Sequence, residues 1–397
     1  MTAKLVFTIG TIALVAALYF LFFHIEPKEL ANGKKSSATA LKKRTMWPMY
    51  RKERVLAGRV KKIPQKLQKG WSFKASAAFR AGVVLSKTHL FCADGKGNLF
   101  CLSRQDGKKR WQRALGSRVT AEPLLLLSDG QGYLCVGTNG GTYFCVATES
   151  GKILWQKEFE DKISGGSSFY KDEEKIYLLL PCHDGFLYSL LLNDGSMVWK
   201  VDAQEPVNAT PALADGRIIF GCCDGKLRFV STLGKKSEPV DLGSYLPSSP
   251  AVDGKIVYVA SHGGQLFAVH ISSAKKLWSF THNEVEEFFG PPAISKKHLA
   301  AIDKRGNLFL VNKTDGALAR KITLDGDIAS EPLVDDESVI IGDRDGNIYC
   351  YQLKNGEKAW QISSGSSILA PLTLCDDELY VADKDGFVTQ YFGVKSE

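Results

Sequence analysis

The chain has 397 residues, and its 51 lysines and arginines against 43 aspartates and glutamates give a net charge of +8. Residues 24–70 hold 14 of the basic side chains but only three acidic ones, whereas residues 71–397 hold 36 basic and 40 acidic side chains. Residues 71–397 therefore lack the net positive charge of a nucleic-acid-binding domain. Aromatic residues are sparse in the basic part, and we expect no nucleic-acid partner there either.

The first predicted element is a membrane anchor. Leu5–Phe23 is nineteen residues long and carries no charge, which is enough for a helix to cross the hydrocarbon core. No small-x-small cleavage site follows closely, and no cysteine ends the apolar run. Residues 1–24 are therefore predicted to be a retained transmembrane signal anchor, with membrane contact through Leu5 to Phe23.

Residues 25–69 form the second predicted element, a basic and largely disordered linker. Its lysines and arginines suit contact with anionic lipid headgroups. Trp47-Pro48-Met49-Tyr50-Arg51 interrupts this composition, and we expect this short stretch to pack on the domain that follows.

Residues 70–397 are built from a repeat. One glycine returns eight times at intervals of 39 to 44 residues, and an aromatic residue follows it three places later in six of the eight copies. Five copies carry tryptophan fourteen places after the glycine: Trp111, Trp155, Trp199, Trp278 and Trp360. The eight glycines are Gly97, Gly141, Gly185, Gly225, Gly264, Gly306, Gly346 and Gly386. A period near 40 residues indicates one supersecondary unit repeated along the chain.

Each repeat predicts four short β-strands. Two apolar runs flank a glycine-rich turn, as in Leu90–Leu102, and a further strand, often led by proline, precedes this hairpin. The tryptophan lies on the fourth strand. Four strands in about 41 residues form a propeller blade.

The ends of the repeat region predict how the ring closes. The last copy stops after its third strand, while a spare tryptophan strand around Trp71 precedes the first copy. If this strand completes the last blade, residues 70–397 form an all-β, eight-bladed propeller that leaves no free sheet edge.

These features resemble the pyrroloquinoline-quinone-type (PQQ-like) β-propeller repeat, through turn Asp-Gly pairs such as Asp184-Gly185 and Asp385-Gly386, the aromatic strand, and the Gly-to-Trp segment such as Thr148–Trp155. The resemblance implies that the tryptophans dock between neighbouring blades. Copy four has Arg228 and Pro239 where the aromatic residue and tryptophan belong, and copy six has Arg320. We therefore expect these two blades to be the least regular.

The resembled family has two branches. In one, eight-bladed quinoprotein dehydrogenases hold a quinone and Ca²⁺ on the ring axis. The other is non-catalytic and includes the BamB-like propellers of outer-membrane protein assembly. The chain is long enough for eight bare blades and little more, which favours the second branch, although the absence of a cysteine after the apolar run departs from its lipoproteins.

Two short motifs and the histidines are the candidates for site residues. The resemblance would place the vicinal pair Cys222-Cys223 against a quinone, but two small residues before a turn fit the same sequence; whether they form a disulfide stays open. Asp343–Asn347 resembles the start of a calcium loop without its later ligands, and turn chemistry explains it. The histidines at positions 24, 89, 183, 262, 270, 282 and 298 show no metal-ligand spacing. We therefore predict no catalytic, cofactor-binding or metal-binding residue.

The predicted function is a membrane-anchored, monomeric, non-catalytic scaffold that binds other proteins through its loops, in envelope or outer-membrane protein assembly. The alternative is a quinone-dependent alcohol or sugar dehydrogenase. Phe288 and Phe289, within Glu286–Pro292, belong either to an exposed loop that contacts a partner or to the buried entry of a strand. The expected location is the bacterial inner membrane with the propeller in the periplasm, although Lys28, Lys34 and Lys35 after the apolar run favour the cytoplasmic side.

Overall fold

The computed structural model describes residues 44–288 and 290–394. Eight antiparallel sheets of four strands each make up this part of the chain. The strands of blades 1 to 4 are β2 (Val84–Leu85), β3 (His89–Ala93), β4 (Asn98–Ser103), β5 (Lys109–Ala114), β6 (Leu124–Ser128), β7 (Gln131–Gly137), β8 (Thr142–Ala147), β9 (Ile153–Glu158), β10 (Ser168–Asp172), β11 (Lys175–Pro181), β12 (Phe186–Leu191), β13 (Met197–Asp202), β14 (Ala212–Ala214), β15 (Arg217–Gly221), β16 (Lys226–Ser231) and β17 (Val240–Asp241).

Blades 5 to 8 continue the same order, except that the fourth strand of blade 8 comes from the start of the propeller. Their strands are β18 (Ala251–Asp253), β19 (Ile256–Ala260), β20 (Leu266–His270), β21 (Lys275–Phe280), β22 (Ala293–Ile294), β23 (His298–Ile302), β24 (Asn307–Asn312), β25 (Leu318–Thr323), β26 (Leu333–Val334), β27 (Ser338–Gly342), β28 (Asn347–Gln352), β29 (Lys358–Ser363), β30 (Thr373–Cys375), β31 (Glu378–Ala382), β32 (Phe387–Gly393) and β1 (Leu67–Lys74). The four-strand meander puts the blade-to-blade connections and the turns between second and third strands at one end, here called the upper face; the other turns lie on the lower face.

The predicted ring closure is confirmed. β1, which contains Trp71, pairs antiparallel with β32 as the outermost strand of the sheet formed by β30, β31 and β32. The two ends of the propeller are thus joined by main-chain hydrogen bonds within one blade, and no blade is left with three strands.

The predicted docking of tryptophans between blades is also confirmed. The indole nitrogen of Trp71 donates to the Arg104 carbonyl at 3.1 Å, and Trp111, one blade later, donates to the Thr148 carbonyl at 2.7 Å. The ring of Trp71 lies so close to Gly107 that a Cβ on this glycine would stand 2.4 Å from it. The second glycine of the repeat is therefore required because the preceding blade's tryptophan covers it, and its φ of +68° also favours glycine.

Blade 4 is irregular, as predicted. Its outer strand β17 has only two residues, after Pro239 interrupts the segment that would carry the tryptophan. In the next blade the position of the second glycine is Ala274, which keeps the left-handed backbone (φ 54°). The tryptophan that would cover this position is replaced by Pro239 in blade 4.

The prediction for blade 6 is wrong. Its outer strand β25 has six residues, and the Arg320 guanidinium donates to the carbonyls of Lys354 and Asn355 in blade 7. An arginine is long enough and has enough donors to bond the turn that a tryptophan would otherwise bond, so the blade keeps its regular form.

Residues 47–60, here called the axial segment, wind around the inner wall of the ring. The carbonyl of Pro48 accepts from the Leu125 amide in blade 2, and the carbonyl of Val55 accepts from the Val252 amide in blade 5. Backbone hydrogen bonds of the same kind reach the inner strands of blades 1, 4, 6 and 7, through Leu85, Leu213, Ile294 and Val334. The Arg54 guanidinium covers Phe169 of blade 3 at 5.1 Å.

The axial segment supplies side chains to the core. Trp47, Met49, Leu56 and Val60 are all buried. Met49 and Leu56 join one apolar cluster of the blades, Trp47 and Val60 join a second, and the neighbouring Ala57 joins a third. The segment contains the left-handed residues Arg51, Lys52 and Leu56, a backbone that persists when surrounding contacts hold it.

The structure thus differs from the expectation of a linker that is disordered up to residue 69. The predicted packing of Trp47–Arg51 on the propeller is confirmed, but the packed region is longer: it includes Arg44, whose side chain pairs with Glu378 at 2.9 Å. Leu5–Phe23 and residues 25–43 lie outside the described residues. No helix within 44–288 and 290–394 is both long enough and apolar enough to cross a membrane.

Candidate functional site at the mouth of the central channel

The upper mouth of the channel is an open funnel of about 430 Å³. Its wall comes from the loops that lead into the innermost strands of blades 2 to 7, the same positions at which the sequence repeats Glu-Pro, Thr-Pro and Ser-Pro. The polar lining residues are Thr120, Glu122, Ser164, Asn208, Thr210, Ser248, Ser249, Glu287, Lys304 and Glu331. Prolines fix these entry loops because their φ is set in advance.

The axial segment forms the floor of the funnel. Tyr50 lies 6% exposed, and its hydroxyl donates to both carboxylate oxygens of Glu331, at 2.6 Å for Oε1. Arg51 is 3% exposed, and its three guanidinium nitrogens find no hydrogen-bond acceptor among the described residues. Its charge nevertheless acts on Glu331 and lowers the pKa of that carboxyl, although burial raises the pKa more strongly.

Glu122 and Glu331 face each other across the funnel floor. Burial, helped by the charge of Glu331, raises the pKa of Glu122 to about 7. Burial and the neighbouring Glu331 also raise the pKa of Tyr50 well above its ordinary value. A carboxyl group that titrates near neutral pH at the base of a cleft could transfer a proton.

Glu287 has a different environment. Its carboxylate pairs with Lys304 and accepts from His262 Nε2 at 2.9 Å, so it forms a network between blades 5 and 6. The funnel therefore holds three carboxylates and one ammonium group at its surface, and the ammonium group is already paired.

The sequence did not single out Glu122 and Glu331 as a pair. Both glutamates precede a proline at the same repeat position, in blades 2 and 7. This shared position is the one feature of the sequence that could have indicated that they lie on the same face of the ring. Their proximity arises only when the ring closes and the floor is supplied by the axial segment.

Cys222 and Cys223 lie beside the funnel wall as free thiols. Cys222 Sγ contacts the Glu205 carbonyl at 3.5 Å, whereas Cys223 Sγ contacts the Pro206 carbonyl at 3.6 Å and the amide of Asn208 at 4.0 Å. Burial raises the pKa of Cys222 to about 12, so this thiol is a poor nucleophile.

Asp343 has a structural role. Its buried carboxylate accepts from the backbone amides of Asp345 and Asn347 and from the Tyr349 hydroxyl at 2.8 Å, and thereby fixes the turn between β27 and β28. Among the described residues no group of three or more His, Cys, Asp or Glu side chains could hold a metal ion. His183 pairs with Asp161 at 3.0 Å.

Phe288 is 2% exposed and bridges to Asp303, so the interpretation as a buried strand entry holds for it; Phe289 lies outside the described residues. A larger groove of about 730 Å³ lies on the lower face, between blade 7 and residues 62–65. Its exposed charges, including Lys62, Asp336 and Lys354, are of both signs and specify no one ligand chemistry.

A family model described as "Outer membrane protein assembly factor BamB" matches residues 57–131, 145–286 and 275–393. The chain belongs to this family. The match begins inside the axial segment and ends in β32, so the family pattern includes the ring closure. No curated protein matches the sequence.

Solved structures share the fold of this BamB-family chain at low sequence identity. BamB from Moraxella catarrhalis is 17% identical, with a TM-score of 0.69 over 82% of this chain and 100% of that one. Quinohemoprotein alcohol dehydrogenase from Comamonas testosteroni is 11% identical, with a TM-score of 0.70 over 89% and 81%. A europium-containing methanol dehydrogenase is 13% identical, with a TM-score of 0.69 over 86% and 90%. At these identities the structural likeness shows the eight-bladed fold alone.

The funnel does not fit the quinone that the dehydrogenase branch implies. Pyrroloquinoline quinone is a tricarboxylate, and it would meet Glu122, Glu287 and Glu331 at the funnel surface, where the ammonium group of Lys304 is already paired and the Arg51 guanidinium is buried in the floor. Burying anions next to carboxylates is unfavourable.

Proposed function

We propose that this BamB-family chain is a non-catalytic propeller scaffold that binds other proteins during outer-membrane protein assembly, anchored to the inner membrane by Leu5–Phe23 with the propeller in the periplasm. The observation that carries the proposal is the axial segment. Because the chain's own residues 47–60 are hydrogen-bonded to the inner strands of six blades, the floor of the funnel is part of the protein core.

The upper face is the proposed contact surface. The axial segment forms the floor of the funnel, and the upper rim keeps exposed charged side chains on a rigid ring. Arg80 and Arg118 are two such exposed residues, at the loops that lead into blades 1 and 2. A ring fixed by β1–β32 pairing can present these loops without the cost of ordering them on binding.

Depletion of the protein in its source cells tests the proposal. We expect folded β-barrel proteins in the outer membrane to decrease, and the wild-type chain to restore them. The double variant Arg80→Glu/Arg118→Glu should restore them poorly, whereas the matched lower-face variant Lys87→Glu/Lys255→Glu should restore them fully. Equal rescue by both variants would contradict the choice of the upper face, and unchanged barrel proteins on depletion would contradict the assembly role.

A second measurement addresses the dehydrogenase alternative. Purified protein titrated with pyrroloquinoline quinone and Ca²⁺ should show no stoichiometric binding by absorbance or calorimetry. Tight binding accompanied by dye-linked oxidation of an alcohol or sugar would overturn the scaffold proposal.

A further inference from the structure

The nine cysteines all lie in the described part of the chain, and eight of them are buried. They differ in their neighbours. Cys92 and Cys101 lie on adjacent strands but one register step apart, so they enter different apolar clusters on the two faces of the sheet. Cys375 contacts the Thr45 hydroxyl at 3.1 Å. These thiols behave as small apolar side chains.

Cys135 and Cys145 are arranged differently. They are directly paired residues on β7 and β8, their sulfur atoms lie 3.6 Å apart, and both belong to the same apolar cluster. Within the described residues this is the one contact between two sulfur atoms that falls within hydrogen-bond reach.

The register of the hairpin suits a covalent bond. The Thr138 amide donates to the Thr142 carbonyl, so this pair is hydrogen-bonded. Because hydrogen-bonded and non-hydrogen-bonded pairs alternate in an antiparallel ladder, Cys135 and Cys145, three steps away, form a non-hydrogen-bonded pair. The Cα atoms of such pairs are about 4.5 Å apart, which is inside the range that a disulfide spans.

We propose that Cys135 and Cys145 form a cross-strand disulfide in blade 2 when the chain folds under oxidising conditions. The inference goes beyond the scaffold function, because it concerns the covalent state of the fold. The two thiols lose two protons and two electrons as the S–S bond forms, and a disulfide co-reactant, such as oxidised glutathione, accepts them and becomes two thiols.

The disulfide forms during folding, before blade 2 is packed and its two thiols are buried. Both thiols are fully buried in the folded ring, and burial raises the pKa of Cys135 well above its ordinary value, which suppresses the thiolate that would attack a disulfide. Once the bond has formed, the same burial protects it from reductants.

Trypsin digestion gives a direct assay of this disulfide. Residues 119–152 form a single tryptic peptide, because Arg118 precedes it and the next lysine or arginine is Lys152, and Cys135 and Cys145 are its two cysteines. Full-length protein is reduced, unfolded, and refolded in a mixture of reduced and oxidised glutathione. It is then alkylated with iodoacetamide in denaturant, digested and measured by mass spectrometry.

We expect seven of the nine cysteines to be alkylated and the 119–152 peptide to carry no alkyl group and to be lighter by two hydrogens. Cys92→Ser, a buried control outside the pair, should keep this internal bond, whereas Cys135→Ser should leave Cys145 open to alkylation. Alkylation of both cysteines in the refolded wild type, or a bond from either one to a different cysteine, would overturn the proposal; this wild-type measurement needs no variant to fold.

Discussion

The outer rim and the central axis are stabilised in different ways. At the rim one local device repeats from blade to blade: a tryptophan covers the second glycine of the next blade and bonds a carbonyl of the same turn. At the axis a single segment that is not repeated contacts the blades in succession. A defect at the rim should therefore affect one junction, while a defect at the axis should affect the whole ring.

The largest expected effect comes from the axis. Replacing the axial segment by glycine and serine at unchanged length removes the buried side chains of Trp47, Met49, Leu56 and Val60. At about 1.5–3 kcal/mol for each, less the ordering entropy, the free energy of unfolding should fall by at least about 5 kcal/mol. Chemical denaturation measures the loss. A transition that keeps its midpoint would show that the segment is dispensable.

A smaller effect should follow from removing one rim contact. Trp199→Ala loses a half-buried indole and its 2.9 Å hydrogen bond to the Thr232 carbonyl, which should reduce stability by about 2–3 kcal/mol. Arg320→Ala, at the junction where arginine replaces tryptophan, should cost about 1 kcal/mol because the side chain is exposed. Equal denaturation midpoints for the two variants would contradict the difference between the junctions.

The glycines of the rim provide a matched pair. Gly107→Ala places a Cβ 2.4 Å from the Trp71 ring at a φ of +68°, and we expect a loss of about 2 kcal/mol. Ala274→Gly, at the junction without a tryptophan, should change stability by less than about 0.5 kcal/mol. Glycine removes the strain of the left-handed backbone, but it also raises the conformational entropy of the unfolded chain, and the two effects offset each other. Thermal unfolding of both variants is the measurement. Similar losses of stability in the two variants would show that the tryptophan contact is not the reason for glycine at this position.

The last predicted effect concerns the funnel and depends on pH. The pKa of Glu122 is raised in the folded state, so its ionisation opposes folding as pH rises from about 4.5 to 7, and the penalty is complete above that. Glu122→Gln should therefore match the wild type at pH 4.5 and exceed its stability by about 1 kcal/mol at pH 8, after a discount for partial exposure. Unfolding curves at the two pH values test this; a variant less stable at pH 8 would contradict it.

The rim was predictable from sequence because it repeats. Glycine and tryptophan offsets located the blades, and the spare strand around Trp71 located the closure. Arg320 was misjudged because the repeat describes residue types, whereas the junction needs only a long side chain that donates to the next turn. The axis was mostly hidden, since residues 52–60 bond the blades through backbone groups that carry no residue signature.

Hydrogen exchange of the axial segment tests the central claim most directly, because the claim is that residues 47–60 are part of the propeller core and form the floor of the funnel. Exchange followed by mass spectrometry should show peptides from this segment as protected as those from β7 or β27. Exchange of these peptides at the rate of an unstructured chain, with the blades still protected, would contradict the account.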